Sequence, residues 1–444
     1  MSSVRLRDFR DKTRATYWFV PMLMSLLGAG LAMILNWISQ LLTTFLQNSW
    51  YLVIPISAPD ARGTLTVIAQ TTIGVIGVVF SITLVPLTIA SSQYGSIIMR
   101  SFMRDRATQF VLGAFGATTF YSMFLIATLP SGSALPLNGS FPVEVAFYML
   151  LANLIILFYF IHHVADSLQA ATVIEQISKE LENVVEEYPL TKATDTLDSR
   201  HGEANTLRDT LLREGKAITS NGEGYVRAID YDRLMRMAVR CKSVLYLSRQ
   251  PGDFVSRGDQ LLRAWPGPLE ERAVSIANRA YILGRNRTLY QDPEYGIYII
   301  VTIAARALSH AINDPATPVM CLNRLGAVLG MLAERTYPSP YFCDKDNQLR
   351  VMADPVSFDR LVDLAFNLIR EYGRGNTEVL MKMLETIKEV AVHAHSNEQR
   401  KALLKHVTLI EHDSRIGLAS EHDQKRVQVT YAETVKEIGL TDPQ

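Results

Sequence analysis

The chain has 444 residues, with Lys+Arg and Asp+Glu balanced at 44 each. That length accommodates two or three domains, and the balanced charge excludes a strongly basic or acidic chain while saying nothing about a nucleic-acid partner. The charge is unevenly spread: residues 1–165 hold nine Lys/Arg and five Asp/Glu, against 35 and 39 in residues 166–444.

Four apolar stretches account for the charge-poor third. Tyr17–Leu42, Leu65–Ser92, Ala107–Pro130 and Val143–Val164 each exceed the ~20 residues that cross ~30 Å of hydrocarbon. A cleaved signal peptide would have a shorter apolar region and leave three spans unexplained. Lys and Arg mark the inner side. Arg5, Arg7, Arg10, Lys12 and Arg14 precede the first span, and Arg100, Arg104 and Arg106 lie between the second and third. The other two loops hold only Arg62. The positive-inside rule therefore predicts a multi-pass protein of the bacterial inner membrane with both termini cytoplasmic. Arg100, Arg104 and Arg106 are expected to contact anionic lipid.

A small and polar stripe runs along the second span: Thr66, Gln70, Gly74, Gly77, Ser81, Thr88 and Ser92. The third span has Gln109, Gly113, Gly116 and Ala117. Such stripes let helix backbones approach closely, within one subunit or across subunits around a pore. No ionisable residue lies deep in any span, which weighs against a proton relay.

From Val164 the apolar spacing continues through Leu168, Ala171, Ile174, Ile177, Leu181 and Val184. It predicts one continuous helix from Val143 to about Tyr188, whose stripe is covered by its own domain or by a neighbouring subunit. Thr191–Gly224 reads as a linker with a helical patch at Leu207–Arg213. Residues 225–266 read as a small barrel-sandwich-like unit, with strands at Tyr225–Ile229, Ser243–Leu247, Phe254–Val255 and Gln260–Trp265. A helix capped by Asp230 interrupts them. The turn-and-strand run PGDFVSRGDQLL has a lipoyl-like shape without a lysine at the hairpin tip. Helices follow at Pro268–Leu283, Pro293–Ile312, Pro315–Arg335, Pro355–Tyr372, Thr377–His395, Asn397–His412 and Glu421–Ile438. Asp292, Asp314 and Asp354, each before a Pro, are expected caps, and Ser396 with Gln399 a capping box.

The predicted fold is thus mainly α. A four-helix transmembrane bundle (1–166) leads through an extension of the fourth span (167–190) and a linker (191–224). A cytoplasmic α+β region follows, first the small β unit (225–266) and then a helical bundle (267–444). Cys241, Cys321 and Cys343 read as free thiols in a reducing compartment.

Three stretches in this order carry a family resemblance: GVVFSITLVPLTIASSQYGSIIMRSFMRDRATQFVLGAFG, GYVRAIDYDRL…PGDFVSRGDQL, and RNRTLYQDPEYGI…ARALSHAINDPATP. Over nearly its whole length the chain resembles a bacterial family of predicted membrane proteins built on a domain of unknown function. It departs from that family's pattern at His310, where Pro is expected, and at Pro318, where Ala is expected. The resemblance implies an inner-membrane location and this domain order, and supplies no reaction.

Arg306, His310, Asn313 and Asp314 form a candidate site, the first three on one helix face, able to bind an anion or to titrate near neutral pH. Asp314 has the competing role of a cap. His162, His163 and Asp166 read as interfacial anchors, with Asp166 in reach of one imidazole. No P-loop, GxSxG, HExxH or kinase set occurs, and no cofactor, metal or nucleic acid is expected. The sequence favours a homo-oligomeric, channel- or transport-like protein gated by its cytoplasmic domain. A membrane-anchored sensor or scaffold with a cytoplasmic ligand is the rival. An enzyme built on Arg306, His310 and Asp314 is third.

Overall fold

A computed structural model of the chain describes residues 18–45, 57–94, 105–129, 141–167, 169–187, 201–266, 270–334, 341–354 and 356–439. The basic N-terminal tail, Arg100, Arg104 and the 130–140 loop lie outside them. The chain divides into two compact units, one ending at Thr172 and one beginning at Val173.

The N-terminal unit holds α1 (Phe19–Phe45), α2 (Ala58–Tyr94), α3 (Arg106–Thr128) and α4 (Phe141–Ser167). All four are long and apolar enough to cross a membrane. α3 is the hub, packed on α1, α2 and α4. Ala61, Leu65, Ile68, Tyr121, Leu125 and Val143 form one buried apolar cluster, and Val79, Val111, Phe115 and Phe160 another. Large apolar side chains such as Leu27, Trp37, Ile155 and Phe158 point outward. That inversion suits a solvent as apolar as the core.

Several polar groups inside this unit pair with each other, because hydrocarbon offers them nothing. Thr72 and Thr119 hydroxyls meet at 2.8 Å, Asn153 Nδ2 donates to Thr118 Oγ1 at 2.8 Å, and Tyr121 donates to the Pro142 carbonyl at 2.8 Å. Arg62, which the structure places in α2 near its start, donates to the Leu129 carbonyl at 2.7 Å and so closes the C-terminal end of α3.

The fourth span and its extension are two helices, not one. α4 ends at Ser167 and α5 spans Ala170–Glu187. Gln169 turns back onto Asp166, its amide N–H to the carbonyl and its side chain to the carboxylate.

In the C-terminal unit the expected linker contains structure: α6 (His201–Glu214) and strand β1 (Lys216–Thr219). β2 (Gly224–Ile229), α7 (Tyr231–Cys241), β3 (Val244–Leu247), β4 (Phe254–Val255) and β5 (Gln260–Trp265) follow the predicted order. The predicted helix over Pro268–Leu283 is instead α8 (Glu271–Ala280) and strand β6 (Tyr281–Gly284). β7 (Tyr341–Cys343) and β8 (Leu349–Ala353), far along the chain, complete the β region. One sheet has the order β1-β5-β3-β8-β7 and the other β4-β2-β6. Residues 225–266 are therefore not a closed unit, since β3 pairs β8 in parallel and β2 pairs β6.

The helical part comprises α9 (Pro293–Ala307), α10 (Ala316–Glu334), α11 (Phe358–Gly373), α12 (Thr377–Val392), α13 (Asn397–Gly417) and α14 (Glu421–Ile438). Asp292, Asp314, Asn376, Ser396 and Ser420 each accept from first-turn N–H groups. Ser396 and Gln399 form the expected reciprocal box. Asp354 does not cap α11. Ser357 does, and Asp354 binds Arg208 and Tyr246 instead. α10 is a fifth helix long and apolar enough to cross a membrane. Its apolar face is taken up by the bundle: Cys321, Leu322, Leu325, Val328 and Leu329 are fully buried, and α9, α11 and α12 pack around it.

Candidate functional site

The two small-residue stripes have opposite surroundings. On α3, a Cβ added at Gly113 would strike the Met24 side chain, and one at Gly116 the Ser25 hydroxyl. A Cβ added at Gly28 of α1 would run into the Ala117 backbone. Gln109 is buried in the same packing, and its Nε2 has no partner among the described residues. This stripe is the close crossing of α1 and α3.

On α2, Thr66, Gln70, Gly74, Gly77 and Ser81 all point away from the bundle and are exposed, as is Thr88. The Ser92 side chain lies outside the described residues. Among the described residues, nothing stands within 4 Å of a Cβ built at Gly74 or Gly77. Thr66 satisfies its hydroxyl on the Arg62 carbonyl at 2.7 Å. The Gln70 amide has no hydrogen bond among the described residues. The opposite face of α2, with Leu65, Ile68, Thr72 and Val79, does the packing. Among the described residues of the N-terminal unit, none covers the stripe.

At the far end of α3, Asp105 caps the helix through Ala107 N and Thr108 N and also accepts from the Thr108 hydroxyl at 2.6 Å. His163 Nε2 lies 3.1 Å from Asp105 Oδ1, and Tyr159 stacks on the imidazole. The imidazole partner is therefore Asp105, not Asp166, which is engaged by Gln169. His162 is exposed on another face, and no cluster of metal-binding side chains occurs among the described residues. Arg106 is exposed at the start of α3.

The Arg306–Asp314 stretch is not one helix face. α9 ends at Ala307, His310 lies in the following turn, and Asn313 has φ 49°. Arg306, His310 and Asn313 are exposed. Asp314 is spent on α10, accepting from Ala316 N at 2.9 Å and the Thr317 hydroxyl at 2.6 Å.

The C-terminal unit covers the stripe of α5 itself. Ile174, Ile177, Leu181 and Val185 are buried. Leu181 sits over Gly296 of α9, where a Cβ would come within 2.6 Å of it, and Glu175 reaches Arg324 of α10 at 3.8 Å. Only two residues lie between the end of α4 and the start of α5.

Sequence reasoning missed two clusters built around buried titratable side chains, Asp292 and His406. Arg287 grips the buried Asp292 through Nε and Nη2 at 2.8 and 2.9 Å, and Arg360 binds the nearby Glu294. Burial raises the Asp292 carboxyl to about 6, with Arg287 pulling the other way. Gly252, at φ +97°, passes so close that a side chain there would meet both partners. The signal was available in RNRTLYQDPEYG, where a cap follows an arginine by five residues. The second cluster is His406, fully buried, with Nε2 2.7 Å from Asp363 Oδ1 and Nδ1 unpartnered among the described residues. No local pattern announces it, since Asp363 and His406 are 43 residues apart.

The comparisons with known proteins agree with this architecture. A family model described as "Predicted membrane protein (DUF2254)" matches residues 14–389. The chain belongs to this family. The chain is 28% identical over 436 residues to the uncharacterized protein Rv1290c of Mycobacterium tuberculosis, covering 95% of this chain and 81% of that one. The same figures hold for the uncharacterized protein Mb1321c of Mycobacterium bovis. No solved structure matches the chain. It is a predicted membrane protein with several apolar helices, mainly helical, with strands in its C-terminal region.

Proposed function

We propose that this DUF2254 protein is a homo-oligomeric, channel- or transport-like protein whose copies meet along the α2 stripe. The supporting observation is the stripe of Thr66, Gln70, Gly74, Gly77 and Ser81, outward-facing and uncovered among the described residues, with the Gln70 amide unpaired there. An amide left in hydrocarbon is costly, so this face is stable only against another protein surface or water. Four spans per chain need several copies to surround a pore, so the copies gather about a common axis. The C-terminal unit is the gate. α5 carries its state to α4 because α5 is packed on α9 and α10 and only two residues separate it from the span. Both termini face the cytoplasm across the bacterial inner membrane, a reading supported by the placement of the nine Lys/Arg of residues 1–165.

The test is native mass determination in lipid nanodiscs together with ion flux from reconstituted vesicles. A defined oligomer and flux that Gln70→Leu changes support the reading. A monomer, or vesicles tight to ions, contradicts it and leaves a membrane-anchored scaffold.

A further inference from the structure

The C-terminal unit is electrically lopsided. Residues 216–287 carry thirteen Lys/Arg against seven Asp/Glu, whereas residues 288–444 carry seventeen against twenty-one. α7 and α8 pack on each other, α7 against β3 and β8 and α8 against β1 and β6, and meet where the Asp230 N–H reaches the Ala280 carbonyl at 2.9 Å. Arg236, Arg240 and Lys242 at the C-terminal half of α7, and Arg272 on α8, are exposed. Among the described residues, none of these four side chains has an ion pair or hydrogen bond. Val239 is exposed between Arg236 and Arg240.

Several acids of the region are spent locally. Asp230 caps α7 and pairs Arg233, Asp253 accepts from Gln250 N, and Asp259 accepts from Ser256 N and pairs Arg249. Asp232, Glu270 and Glu271 stand in or just before the first turns of the two helices, where the helix dipole favours them. The cations remain in excess.

We propose that the α7–α8 face docks on the headgroups of anionic phospholipid. The partner's chemistry follows from the charge and from the anchor. Free guanidinium groups bind phosphate in bidentate fashion, and a chain held in a bilayer keeps this face at high effective concentration near headgroups. Val239 is an apolar tip for the interfacial layer. Single-stranded nucleic acid is disfavoured because Tyr231, the one aromatic residue of α7 and α8, is stacked on Phe342 and only half-exposed. The proposal is independent of how subunits associate.

The test places an environment-sensitive fluorophore at Val239→Cys in the full chain, with Cys241→Ser, Cys321→Ala and Cys343→Ser. Nanodiscs contain phosphatidylcholine alone or mixed with phosphatidylglycerol, plus a headgroup-nitroxide lipid. Quenching is expected to be at least about twofold stronger in the anionic discs, and to be lost with Arg236→Glu/Arg240→Glu and in about 0.5 M salt. If the cysteine replacements prevent folding, hydrogen exchange over residues 231–241 of the natural sequence reads the same face, slower in anionic discs. Equal signals in both lipids overturn the proposal. So does protection by an RNA oligonucleotide without protection by phosphatidylglycerol.

Discussion

The α3 stripe and the α2 stripe look alike in sequence and differ in everything around them. Gly113 and Gly116 face Met24 and Ser25 of α1, and Gly28 faces the Ala117 backbone. Gly74 and Gly77 face nothing within 4 Å among the described residues. Small residues in a span are thus a licence for close approach, and the partner decides what the licence is used for. Where the partner is in the same chain, the stripe is a fold determinant. Where the described residues supply none, the stripe is left uncovered.

Removing a partner by mutation should reproduce that contrast, most severely where charge is buried. Arg287→Ala leaves Asp292 enclosed without its cation and should cost about 3–5 kcal/mol, read as a loss of C-terminal-unit stability in denaturant. Because burial already lifts that carboxyl to about 6, the deficit should shrink as pH falls from 7 towards 5 and the carboxyl takes a proton. Next in size is Gly28→Leu, which drives a side chain into the Ala117 backbone and should cost about 3 kcal/mol, measured by unfolding in detergent. Thr72→Val breaks the pair with Thr119 inside the bundle and should cost about 0.6–1.7 kcal/mol in the same assay.

A fourth expectation concerns pH alone. Burial holds the His406 imidazole below the usual histidine range, while Asp363 pulls it the other way. A neutral His406 therefore contributes in full above about pH 6.5, and that contribution is lost as pH falls through the depressed value. Asp292 acts in the opposite direction, since the strain on its raised carboxyl is relieved as pH falls, so the test is a difference: the melting temperature of the natural sequence relative to His406→Gln should fall between pH 7 and pH 5. A profile unchanged by that substitution would place the pH sensitivity elsewhere. The smallest effect on the monomer is expected from Gly74→Leu, within about 0.5 kcal/mol, because the site is open.

Features carried by local chemistry were legible. The spans follow from apolar length. The caps Asp230, Asp292 and Asp314 and the Ser396–Gln399 box follow from side chains within three residues of the N–H groups they serve. What could not be read depends on distant chain. β8 joins β3 from the far side of α9 and α10, so the small β unit looked complete without it. β6 is a strand because it pairs with β2, although its sequence continues a helical pattern. The Arg306–His310–Asn313 face assumed a helix that ends at Ala307, where the Asp314 N–H returns to the Ala307 carbonyl at 2.8 Å. The α2 stripe was visible in the sequence, but its outward direction was not. Direction depends on which face α3 and α4 occupy.

Disulfide trapping in native membranes tests the central claim most directly. With Cys241, Cys321 and Cys343 replaced, a single cysteine is placed in turn at Gln70, Gly74, Gly77 and Ser81 of α2, and at Val78 and Phe80, which are exposed on either side of the stripe. The account predicts inter-chain cross-links at the four stripe positions and far fewer at the two flanking ones. Uniform cross-linking around the helix, or none at Gly74 and Gly77, would contradict it.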